Sequence, residues 1–67
     1  IHSLSDREFE IFSLIGNGFS AKEIAEKLNI RYNTVESHRN RIKEKLDIPD
    51  SSKLTKVAIQ WIILQNK

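Results

Sequence analysis

Glu36, Ser37 and Asn40 set a carboxylate, a hydroxyl and an amide side by side, and cations stand on both flanks of them. Arg39 and Lys43 lie toward one flank, and Thr34, Arg41 and Lys45 toward the other. At about 100° per residue, these polar groups and Asn33 point away from an apolar stripe of Val35, His38, Ile42 and Leu46. Amides, carboxylates and hydroxyls hydrogen-bond to base edges, while cations at the margins grip phosphates, so this layout suits a helix that reads a nucleic-acid groove. Taken alone, the same pattern fits an ordinary solvent-exposed helix equally well. The segment before it decides the reading: a short capped helix, a tight turn and a basic helix make the standard shape for entering a major groove.

Local signals mark the elements that must position this face. Ser5-Asp6-Arg7-Glu8 is a capping box, in which the Ser5 hydroxyl and the Glu8 carboxylate each accept from the other residue's backbone N–H, with Leu4 and Phe9 as the hydrophobic staple. Ser20-Ala21-Lys22-Glu23 repeats the device, with Phe19 and Ile24 as the staple pair. The spacing predicts helices over about 5–16, 20–28, 32–46 and 51–64. The first is closed at Gly16-Asn17-Gly18, where a glycine takes the left-handed conformation. Asn29-Ile30-Arg31 forms the turn, Asp47-Ile48-Pro49 stops the third helix, and Asp50 caps the fourth. Phe9, Ile11, Phe12, Leu14 and Ile15 on the first helix, Ile24, Ala25 and Leu28 on the second, and Leu54, Val57, Ala58, Trp61 and Ile62 on the fourth complete one core. The fold class is all-α, a four-helix bundle containing a helix-turn-helix, with residues 1–67 as one domain.

A chain of 67 residues buries only about 60% of its unfolded surface, leaving no room for an active-site cleft beside the core. No nucleophile, base or metal cluster gathers in a pocket, so an enzyme is not expected, and no cofactor either. Cysteine is absent, and no apolar run suggests a membrane span or a leader, so a soluble cytoplasmic protein is expected. Net charge is +2, but residues 1–30 sum to −2 and residues 31–67 to +4. That asymmetry points to a polyanionic partner. His2 and His38 do not form a metal site; His38 is expected to pack at the core edge with a phosphate hydrogen bond within reach, and Trp61 to lie in the core.

Leu4-Ser5-Asp6-Arg7-Glu8, then Ile15-Gly16-Asn17-Gly18-Phe19-Ser20-Ala21-Lys22-Glu23-Ile24-Ala25, then Thr34-Val35-Glu36-Ser37-His38, then Ile42-Lys43-Glu44-Lys45-Leu46 resemble the LuxR/GerE-type helix-turn-helix domain. The resemblance covers nearly the whole chain. It implies a bacterial, sequence-specific DNA-binding domain, usually the C-terminal output module of a larger transcription regulator such as a two-component response regulator, without enzymatic activity. Double-stranded DNA is then the partner, with RNA polymerase as a second. Glu36, Ser37 and Asn40 are the positions expected to face bases, and Lys22, Thr34, Arg39, Arg41, Lys43 and Lys45 the phosphate contacts. The fourth helix of the family commonly mediates dimerisation; Ile59 and Ile63, one turn apart and off the main stripe, with Thr55 and Ile62 near them, are the expected homodimer interface.

The chain departs from the family pattern at three places. Arg31 stands where serine is common, which removes the usual cap of the third helix and leaves Asn33, three residues before Glu36, as the alternative. Ser51 stands where arginine is frequent and Lys53 where glutamate is. A helical protein-interaction module without DNA binding is the rival function.

Overall fold

The computed structural model describes residues 3–65, which form four helices and no strand: α1 (Asp6–Gly16), α2 (Ala21–Leu28), α3 (Tyr32–Lys45) and α4 (Ser51–Gln65). Helix limits agree with the sequence reading to within a residue: Ser5, Ser20 and Leu46 are caps outside the helices, and α4 runs one residue further, to Gln65. Both capping boxes are formed. Ser5 Oγ accepts from Glu8 N–H at 3.2 Å while Glu8 Oε1 accepts from Ser5 N–H at 2.9 Å, and Ser20 and Glu23 do the same at 3.2 and 2.8 Å. Asp50 caps α4 by accepting from the Lys53 N–H at 2.8 Å.

All three inter-helix turns close in the same way. Gly18, Asn29 and Asp47 take positive φ (95°, 56° and 57°), and the next residue's N–H reaches back to a carbonyl in the last helical turn. These bonds run from Phe19 to Leu14 (3.1 Å), Ile30 to Ala25 (3.0 Å) and Ile48 to Lys43 (2.8 Å). They satisfy orphan carbonyls at each helix end and make each exit angle a property of the backbone.

The core is one cluster that draws on every helix: Ile11, Phe12 and Ile15, then Ala21, Ile24 and Ala25, then Val35 and Ile42, then Leu54 and Ala58. Phe12, Ile11, Ile24, Ile42, Leu54 and Val35 are the largest fully buried side chains. Each contributes about 1.5–3 kcal/mol from removal of apolar surface from water. Trp61 is half-buried, packed edge-on against Phe9 and Phe12 with ring centroids 5.7 and 6.5 Å apart. Phe9 itself is 38% exposed rather than a core residue, because it covers the rim where Trp61 emerges.

α1 is the hub that touches all three other helices, and its broadest contact is with α4. That contact depends on Gly16. A Cβ built there would lie 2.5 Å from the Ala58 carbonyl oxygen and 2.5 Å from Ile62 Cγ1. The sequence reading placed Gly16 among the residues that stop α1; in the fold Gly18 carries the left-handed turn and Gly16 admits α4.

Candidate nucleic-acid interface

Two short-range devices orient α3 relative to α2. The left-handed Asn29 turns the chain immediately after Leu28, and Arg31, extended at φ −75° and ψ 149°, opens α3 by accepting from the Thr34 and Val35 N–H groups at 3.0 and 3.2 Å. No side chain caps this end, so Asn33 does not act as the alternative cap and lies inside the first turn of α3. Val35 and Ile42 are fully buried, which fixes the helix's rotation about its axis. Asn33, Thr34, Ser37, Asn40 and Arg41 are then exposed and Glu36 half-exposed, so the carboxylate, hydroxyl and amide of Glu36, Ser37 and Asn40 do share an accessible face.

The cations fall into two groups. Lys22 and Arg41 are exposed and in no ion pair among the described residues. The others are engaged. Arg39 Nη1 lies 3.4 Å from Glu36 Oε2, and its side chain, 15% exposed, borders a crevice with Gly18, Phe19, Ser20 and Thr55 at the start of α2. Lys43 Nζ is 3.4 Å from Ser51 Oγ, a contact made by the residue that stands in the place of the frequent arginine.

Lys45 departs furthest from its expected place on the free phosphate flank. Its ammonium donates to Glu8 Oε1 at 2.7 Å, across 37 residues of sequence, and Glu8 is only 3% exposed. The Lys45 ammonium, and then the Ser5 N–H, hold the Glu8 carboxyl below the usual glutamate range against the opposing effect of burial. Moving the ammonium to a phosphate would strand this carboxylate, which in a fully buried pair costs about 3–5 kcal/mol. An exposed charge contact returns at most about 1 kcal/mol. The Lys45 side chain is 38% exposed, which reduces the first figure, yet half of it still exceeds the second.

Glu8, which the sequence assigns only to a cap, thus also reaches the flank of α3 through Lys45. A signal for its burial was present, because Glu8, Ile11, Phe12 and Ile15 follow the i, i+3, i+4, i+7 spacing of one helical stripe.

On α4, Ile59 and Ile63 are 39% and 59% exposed and are joined by Leu64 at 62%, which the sequence reading did not include. The other two expected interface residues turn inward. Ile62 packs over Gly16 of α1, and the half-buried Thr55 donates its hydroxyl to the Ser51 carbonyl at 3.1 Å, as a threonine one turn along a helix readily does. His38 is half-buried with its Nδ1 enclosed, whereas His2 lies outside the described residues. Among the described residues no group of three or more His, Asp or Glu side chains is placed to hold a metal ion, and no helix is long and apolar enough to cross a membrane.

Residues 2–58 match the family described as bacterial regulatory proteins, luxR family (GerE). The chain is 44% identical over 61 residues to the oxygen regulatory protein NreC of Staphylococcus carnosus, covering 91% of this chain and 28% of that protein. Against the same-named proteins of Staphylococcus haemolyticus and Staphylococcus aureus the identities are 44% and 42%, covering 91% and 92% of this chain and 28% and 29% of theirs. The chain thus spans less than a third of the length of these relatives. No solved structure matches it. With four helices in helix-turn-helix order and a match over most of its length, the chain belongs to the luxR family of bacterial regulatory proteins.

Proposed function

We propose that this chain recognises a specific double-stranded DNA sequence by laying α3 in the major groove, as the output domain of a longer cytoplasmic response regulator that meets RNA polymerase at its promoters. The observation that carries the reading is the accessible face of α3, where Glu36, Ser37 and Asn40 stand between cations on a helix whose rotation is fixed by Val35 and Ile42. Lys22, Thr34 and Arg41 supply the open phosphate contacts, with Arg39 and Lys43 available once their contacts with Glu36 and Ser51 rearrange.

Glu36 is the sharpest test, because an anion brought against a polyanion is unfavourable unless it accepts a hydrogen bond. Cytosine N4 offers one in the major groove, and adenine N6 less commonly. Glu36→Ala should relax the preference at one base pair, losing about 1–3 kcal/mol of discrimination, while affinity for unrelated duplexes holds or rises. A binding-site selection on both proteins measures this, and identical preferred sequences would remove Glu36 from the base readers. Binding to duplex DNA without salt dependence would instead favour a protein-docking module.

Ile59, Ile63 and Leu64 support assembly through α4, since exposed isoleucines one turn apart form a self-complementary patch. Two bound copies would address half-sites about 10 bp apart. Ile59→Lys should abolish cooperativity on a duplex with two half-sites, scored by gel shift; unchanged stoichiometry and cooperativity would place the interface elsewhere.

A further inference from the structure

Lys45 lies one helical turn beyond Arg41 on the same flank of α3, the position from which a second cation would reach the phosphate backbone. Its ammonium is instead spent on Glu8, a carboxylate that is 3% exposed and also accepts from the Ser5 N–H at 2.9 Å. One carboxylate therefore closes the start of α1 and ties down the last turn of α3. Both partners sit in phase with buried residues, Glu8 with Ile11 and Phe12 and Lys45 with Ile42, so the tie forms wherever the core forms.

We propose that Glu8 sets the sequence-independent strength of the DNA interface: it withholds the Lys45 ammonium from phosphate and so keeps binding to every duplex weaker, and less salt-dependent, than the basic flank of α3 would make it. The inference rests on the reading of α3 as a groove reader. Phosphate contacts supply almost all sequence-independent affinity, and each one neutralised adds about 0.9 to the slope of log affinity against log salt. Base contacts are unaffected by a cation at this margin. Freeing Lys45 therefore raises affinity for the selected and the scrambled duplex about equally, and the ratio between them holds.

The test compares this chain with Glu8→Gln, Lys45→Gln and Arg41→Ala near neutral pH, each first shown to be folded by circular dichroism, on a selected duplex and on one of scrambled sequence. Glutamine at position 8 keeps an acceptor for the Ser5 N–H and releases the lysine. The salt slope on scrambled DNA should steepen by about 0.9 in Glu8→Gln, stay unchanged in Lys45→Gln and flatten by about 0.9 in Arg41→Ala. An unaltered slope in folded Glu8→Gln, or a flattened one in Lys45→Gln, would overturn the inference while leaving the groove reading intact. A parent chain that binds neither duplex in a salt-dependent way would overturn both. Should Glu8→Gln fail to fold, an unchanged slope in Lys45→Gln supports the inference and a flattened one overturns it. A structural role for the pair would change melting temperature and overall affinity without changing the slope.

Discussion

Gly16→Val should be strongly destabilising. The added Cβ falls 2.5 Å from the Ala58 carbonyl oxygen and 2.9 Å from its carbon, both backbone atoms that no rotamer change can move. α1 and α4 must part along their broadest contact. Overpacking of this kind costs about 1–3 kcal/mol, and the upper end applies where the obstacle is main chain. At roughly 4–8 °C per kcal/mol for a domain of this size, Tm should fall by on the order of 10–20 °C. Gly16→Ala is the more telling control, because alanine ordinarily gains about 0.5–1 kcal/mol over glycine within a helix; here it should destabilise. Gly18→Ala tests the other glycine. Nothing lies within 4 Å of its Cβ position, so its cost, about 1–2 kcal/mol, comes from the positive φ alone. A thermal melt in which Gly16→Ala is as stable as the parent would mean that the helices yield at this crossing.

Lys45→Ala should have the next largest effect, with a pH dependence that identifies its cause. It leaves the Glu8 carboxylate enclosed without its counter-charge. The pair is partly open to solvent through Lys45, so about 2 kcal/mol is expected, between the values for surface and fully buried pairs. Glu8 has its carboxyl held below its ordinary value of 4.5 in the folded chain. Its contribution is therefore fully present above that value and is lost as pH falls through the lower, folded one. The stability gap between the parent and Lys45→Ala, measured by urea unfolding from about pH 7 down to about pH 3, should narrow on the acid side. A gap that stays constant across this range would assign the loss to the lysine's methylenes instead of its charge.

Helix starts and stops were readable because their causes are local. A serine three residues before a glutamate, or an aspartate just before a helical pattern, fixes a helix end with atoms a few residues apart, and Ser5, Ser20 and Asp50 all do so. The exposed face of α3 was equally readable, since Val35 and Ile42 set the helix's rotation and everything opposite them follows. The features that escaped depend on partners far along the chain. Gly16 looks like a helix stop until α4 lies across it, and Ile62 looks free until α1 lies beneath it. Lys45 belongs to the basic flank by periodicity and to Glu8 by tertiary packing. Charge in phase with an apolar stripe was the one visible trace of that pair.

The crossing of α1 and α4 has a consequence for the order in which the molecule can be made. α1 leaves the ribosome well before α4, its main partner, so α2 and α3 emerge, turn and cap while the hydrophobic faces of Ile11, Phe12 and Ile15 still lack Leu54 and Ala58. A nascent chain ending near Pro49 carries every residue of α3 yet no closed core beneath it. The exposed face of α3 therefore gains its rigidity late, from a helix that contributes none of its polar groups, and a chain interrupted before α4 is complete would be open to proteolysis before that face could serve any partner.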